Sequence, residues 1–157
     1  RVTLPVYILL HFNVFAKKET TGGGEATEKT GKYTFANYTA GTQYAKNEEH
    51  KLDDVLADSN CHLYVIIENG HIIGCATLCV FHSPTGTKAS IEDVVVSSAY
   101  RGQHLGKQLM EHVLEASKTF APIELHLTSN PKRTVANILY QSLGFERKET
   151  NCYRMMK

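Results

Sequence analysis

The chain has 157 residues, of which 42% are hydrophobic and 21% charged, and its formal net charge is +1. Those values describe one domain of ordinary size, able to bury roughly two thirds of its unfolded surface without a metal or disulfide staple. They exclude a strongly basic nucleic-acid binder, and no charge run points to a disordered tail.

Residues 4–16 are apolar and follow a single positive charge, like the core of a signal peptide. His11 and Asn13 interrupt the run and no small-x-small site follows, so a buried element of the domain, either helix or strand, is expected instead. The run is too short to span a bilayer, and no membrane association is expected. Residues 19–31 contain three consecutive glycines among polar neighbours and predict a loop. Tyr33 to Tyr38 predicts a short strand, and Thr42 to Ala57 a helix with Leu52, Val55 and Leu56 as its apolar contacts.

The pattern is sharper downstream. Leu63 to Glu68 and Ile72 to Phe81 read as strands joined at Asn69-Gly70, a pair suited to the two left-handed positions of a type I′ turn. Residues 83–88, with Pro84 and Gly86, predict a loop, and Ala89 to Val96 a third strand. Arg101 to Phe120 predicts a helix with Leu105, Leu109, Val113 and Ala116 on one stripe, stopped by Pro122. Ile123 to Thr128 follows as a strand, then a helix from Thr134 to Leu143 with Gly144 as its left-handed C-terminal residue. Phe145 onward predicts one or two last strands. The expected class is α/β (α+β), with a mostly antiparallel mixed sheet flanked by helices and a strand-helix-strand crossover over residues 89–128.

Of the cysteines, Cys61, Cys75, Cys79 and Cys152, none forms a Cys-x-x-Cys pair. The eight histidines show no zinc-finger or knuckle spacing, so no metal is expected. Cys75 and Cys79 fall on one face of a strand and read as buried free thiols, which suits a reducing, cytoplasmic compartment.

The stretch from Ile91 to Lys107 carries the chemistry. A hydrophobic strand enters a turn containing Arg101, Gly102, Gln103 and His104, and a helix follows through Leu105, Gly106 and Lys107. N–H groups at a helix start lack intrahelical partners, the dipole adds positive potential, and glycine permits close approach, so such a junction suits phosphates. It is neither a Walker loop nor a dinucleotide fingerprint.

Three pieces resemble the GNAT superfamily of N-acetyltransferases. Arg101-x-x-His104-x-Gly106 is similar to the family's Arg/Gln-x-x-Gly-x-Gly/Ala, with His104 where glycine is usual. Glu92-Asp93-Val94-Val95-Val96 resembles its acidic-valine strand, and Asn137 to Phe145 its Asn-x-x-Phe/Leu-Tyr-x-x-x-Gly-Phe. The likeness covers residues 60–157, among which bacterial members of unassigned substrate are the nearest in motif. It implies one domain over residues 1–157, with an acetyl-CoA-binding core at 60–157 and an acceptor-side region at 1–58.

The resemblance also implies roles. Val94, Val95 and Val96 would pair their backbone with the pantetheine arm and polarise the thioester, while residues 101–107 would hold the pyrophosphate. Asn137 would bind the arm, and Tyr140 would bind it and protonate the leaving thiolate. Glu92, alternating onto the face of Val94 and Val96, is the candidate base for the incoming amine. Each has a plainer reading beside it: core strand for the valines, a helix-surface amide for Asn137, a core tyrosine, and a structural or substrate-charge contact for Glu92. His126 reads as structural. The implied reaction is direct acetyl transfer to a small-molecule or protein amine. The alternatives are an acyl-CoA-binding module without catalysis and a glucosamine-phosphate N-acetyltransferase. Family members often form homodimers, and that assembly is open to this chain.

Overall fold

A computed structural model describes residues 28–30, 33–38 and 51–157. The expectations for the apolar first segment, for most of the glycine-rich loop and for the start of the helix at Thr42 fall outside the described residues. The chain divides into two compact units between Leu127 and Thr128.

The first unit holds six strands: β1 (Glu28–Thr30), β2 (Tyr33–Tyr38), β3 (Cys61–Glu68), β4 (His71–Ser83), β5 (Gly86–Val96) and β6 (Ile123–His126). Their order in the sheet is their order in the chain. Every neighbouring pair is antiparallel except β5 and β6, which are parallel. Parallel neighbours need a crossover, and α2 (Leu105–Ser117) supplies it between β5 and β6.

The two central strands are apolar on both faces because both faces are covered. Leu105, Leu109, Met110 and Val113 of α2 are buried, and the ring of Tyr64 meets that of His112 edge-on at 5.7 Å. On the opposite face Leu56, from α1 (Lys51–Ala57), clusters with Leu63, Val65 and Ile72. Ile66, Leu78, Leu105 and Leu109 are each 1% exposed or less, and burying such a side chain stabilises by about 1.5–3 kcal/mol. The turn between β3 and β4 forms as expected, with Asn69 and Gly70 at φ 49° and 77°.

Several expectations are corrected. Residues 28–30 are a strand and not loop, because pairing of Glu28 with Phe35 and Thr30 with Tyr33 fixes them despite their polarity. The loop expected over residues 83–88 contracts to Pro84-Thr85, since Ser83 pairs with Gly86 and the strands run up to the turn. The helix expected from Arg101 begins at Leu105, because Gly102 and His104 take φ of 78° and 57°, which no α-helix accommodates. It ends in a 3-10 turn, Lys118–Phe120. The strand after Pro122 stops at His126, two residues early.

The second unit contains α3 (Thr134–Ser142). Its end is a full Schellman motif: Phe145 N–H donates to the Tyr140 carbonyl at 3.1 Å and Gly144 N–H to that of Gln141 at 3.0 Å. Gly144 sits at φ 91°, the left-handed residue the sequence predicts. The strands expected after Phe145 are absent among the described residues, where 145–157 find no partner strand.

Candidate acetyl-CoA site

β5 carries the feature on which the site is built. Its ladder with β6 runs from Thr87↔Ile123 to Ser90↔His126 and stops, while β5 continues to Val96. Beyond Ser90 the two strands no longer pair, and the edge of residues 91–96 away from β4 has no partner strand among the described residues. An extended ligand bearing amides can add to such an edge as another strand would.

A β-bulge lies within that edge. Thr77 pairs with Glu92 and Cys75 with Val95, so Asp93 and Val94 together oppose Ala76. Asp93 takes φ 52°, a left-handed conformation that aspartate tolerates better than most residues. The extra residue reverses the alternation beyond it. Glu92 therefore shares a face with Val95, across from Thr77 and Cys75, and not with Val96 as simple alternation implies. Val95 is buried, and Val94 and Val96 are half-buried.

Glu92 is exposed, and Ser90 donates a hydrogen bond to its carboxylate. Sequence reasoning missed Ser90, whose only trace is a hydroxyl two residues from an acid on one strand. Next to this pair His126 Nε2 lies 3.6 Å from Glu124 Oε2, which is also 3.6 Å from Lys88 Nζ. His126 is thus tied to a surface ion pair, in keeping with its structural reading.

The turn beyond β5 is held at both ends. Ser97 N–H donates to the Ile73 carbonyl at 2.8 Å, and Arg101 Nε to that of Val96 at 3.3 Å. Gly102 has open space where a side chain would stand. His104 is the N-cap of α2 in the left-handed region, its side chain exposed and making no capping bond. The residue departs from glycine, but its backbone adopts the conformation glycine takes most easily. The N–H groups of Lys107 and Gln108 donate to the His104 carbonyl at 3.0 and 3.1 Å. Leu105 and Gly106 are the first two helical residues, whose N–H groups have no intrahelical acceptor, and the side chain of Leu105 is buried in the core. Arg101 and Gln103 are exposed, and Lys107 makes a surface ion pair with Glu111 at 3.7 Å, too solvated to hold the lysine firmly.

In the second unit Asn137 and Tyr140 stand three residues apart on α3, within reach of one face. Asn137 Nδ2 donates to the carbonyls of Asn130 at 3.0 Å and Pro131 at 3.4 Å, which ties the helix to its preceding loop and leaves Oδ1 as acceptor. Tyr140 packs edge-on to Phe145 at 6.2 Å. Burial pushes its phenol above the ordinary tyrosine value, with Arg133 pulling weakly the other way. Among the described residues no three His, Cys, Asp or Glu side chains form a metal-binding group, and no helix is long and apolar enough to cross a membrane.

Residues 59–147 match the family described as the acetyltransferase (GNAT) domain. That match covers the sheet opened between two parallel strands and the glycine turn leading to a helix, and it makes the protein an acyltransferase. The chain belongs to the GNAT acetyltransferase family. Its structure is similar to that of an acetyltransferase from Trypanosoma brucei, at 28% identity and a TM-score of 0.58, over 68% of this chain and 76% of that one. It is also similar to an aminoglycoside acetyltransferase from an uncultured soil metagenomic sample, solved with sisomicin: 15% identity, TM-score 0.67, 80% of this chain and 97% of that one. A third is glucosamine-6-phosphate N-acetyltransferase from Arabidopsis thaliana, at 22% identity and a TM-score of 0.60, over 69% and 76% of the two chains. At 15% and 22% identity the last two likenesses are of fold.

Proposed function

We propose that this acyltransferase moves an acetyl group from acetyl-CoA to a primary amine by direct attack in a ternary complex. The observation that carries the reading is the open edge of β5 from Ile91 to Val96, running into the turn at Gly102 and His104. The amides of a pantetheine arm match the spacing of a strand edge, and a backbone N–H of residues 94–96 polarises the thioester carbonyl as negative charge develops there. The pyrophosphate lies against Leu105 and Gly106 N–H, with Arg101 and Lys107 supplying charge and Gln103 a neutral donor.

The amine attacks as the free base. Glu92, oriented by Ser90, accepts its proton directly or through water. Tyr140, kept protonated by burial, gives a proton to the departing thiolate, and Asn137 Oδ1 accepts from an amide of the arm. The acceptor is a small-molecule or protein amine that docks against the region of residues 1–58. An aminoglycoside or an amino-sugar phosphate belongs to that class, but likeness of fold selects neither. The free thiols suit a reducing compartment such as the cytoplasm.

Isothermal titration with acetyl-CoA, with ATP as control, tests the cosubstrate. Micromolar binding of acetyl-CoA alone supports the reading and leads to an amine screen that follows release of free thiol. Absence of binding overturns it.

A further inference from the structure

Cys61 and Cys79 are directly opposed on β3 and β4, with their Sγ atoms 3.4 Å apart. Val80 N–H donates to the Asn60 carbonyl at 2.8 Å, which makes Asn60 and Val80 a hydrogen-bonded pair of the antiparallel ladder. The next pair along, Cys61 and Cys79, is therefore of the non-hydrogen-bonded kind, whose Cα atoms lie about 4.5 Å apart with side chains close. That separation falls within the roughly 4.4–6.8 Å span a disulfide bridges. Both residues are half-buried, so small reagents reach them. Cys79 also pairs with Ser90 on β5, the residue that holds Glu92.

We propose that Cys61 and Cys79 are a redox modification site, a cross-strand dithiol that a small disulfide such as oxidised glutathione converts to an intrachain disulfide next to Ser90. Cys79 attacks first. Its thiolate forms a bond to one sulfur of the small disulfide and releases the other sulfur as a thiol. Cys61 then gives up its proton, with the Asp58 carboxylate 3.5 Å from its Sγ as the first acceptor, and attacks the mixed disulfide at Cys79. The second small thiol leaves. Two electrons pass from the protein dithiol to the small disulfide, which is reduced to two thiols. Until then Cys61 stays protonated, because burial, Cys79 and Asp58 push its thiol up to about 12. The thiolate is the reactive form, so the pair persists reduced until a mixed disulfide brings an electrophilic sulfur against it.

The test is a thiol count on the full chain, reduced, desalted, exposed to oxidised glutathione and then alkylated. Wild type is expected to show Cys61 and Cys79 linked in the peptide map, apart from any glutathione adduct on the exposed Cys152. A Cys75→Ser/Cys152→Ser double variant is expected to do the same. Cys61→Ser is expected to stop at a glutathione adduct on Cys79. Retention of all free thiols, a bond between any other pair, or no glutathione adduct on Cys79 in Cys61→Ser overturns the proposal. The count needs no acetyl transfer, so its outcome is separate from that of the proposed function.

Discussion

Ser90 donates its hydroxyl hydrogen to the carboxylate of Glu92, two residues along one face of β5 and just where that strand parts from β6. The bond fixes one rotamer of the acid at the mouth of the open edge. Glu92→Gln is expected to lower kcat by about 10²–10⁴ at neutral pH, the range for loss of a positioned base. Ser90→Ala is expected to cost less, since the carboxylate stays in place and loses only the hydroxyl that orients it. Steady-state rates across pH, with coenzyme A release as the readout, check both. Unchanged rates in both variants would remove Glu92 from the mechanism.

Tyr140 is expected to act as the acid. Its phenol is raised by burial above the usual value of about 10, so the proton-bearing form persists through the physiological range. The alkaline limb of kcat should therefore lie above about pH 10, and Tyr140→Phe should abolish that limb and reduce kcat by about 10²-fold or more. The same shift has a sign for folding. A folded-state value above the unfolded one contributes stability that is complete below about pH 10 and is lost as pH rises through the folded value. Denaturation midpoints of the two proteins at neutral and high pH check it.

His104 holds a backbone conformation, φ 57°, that costs a non-glycine residue about 1–2 kcal/mol. Glycine relieves that strain and gives back about 0.5–1 kcal/mol through the freedom of the unfolded chain. His104→Gly should fold with equal or slightly higher stability and bind acetyl-CoA more tightly, because the backbone can approach the pyrophosphate. Thermal melts and titration calorimetry check the two halves separately. Weaker binding would assign the imidazole a contact with the cosubstrate.

Gly74 meets a different constraint. A Cβ there would stand 2.8 Å from Ile66 Cδ1 and 3.0 Å from the Val95 carbonyl oxygen. Ile66 can turn its tip aside, but Val95 is backbone of the proposed cosubstrate strand. Gly74→Ala should cost about 1–3 kcal/mol, as other overpacked sites do, and should raise KM for acetyl-CoA more than it lowers kcat. Urea denaturation and initial rates measure these directly.

The elements that the sequence makes legible are those whose signals are local. The Asn69-Gly70 turn, the apolar runs of β3 and β4, the stripe of α2 and the Gly144 cap all follow from residue type and period. The turn at residues 101–106 is legible for the same reason, since glycine and charge mark it. What escapes is set by partners distant in the chain. β1 is polar and exists through its pairing with β2. The bulge at Asp93 exists only in register with Ala76, and it turns the face on which Glu92 lies. Ser90 gains meaning only once Glu92 is known to fold back toward it.

The bulge has a consequence for self-association. Among the described residues none pairs with the edge of 91–96 away from β4, and such an edge is the usual starting point for edge-to-edge growth of sheets. The left-handed kink at Asp93 breaks the flat rail that a second protein strand would need, and the adjacent acids Glu92 and Asp93 repel a copy of the same edge. One inserted residue thus makes this edge a poorer template for a second copy of the same strand.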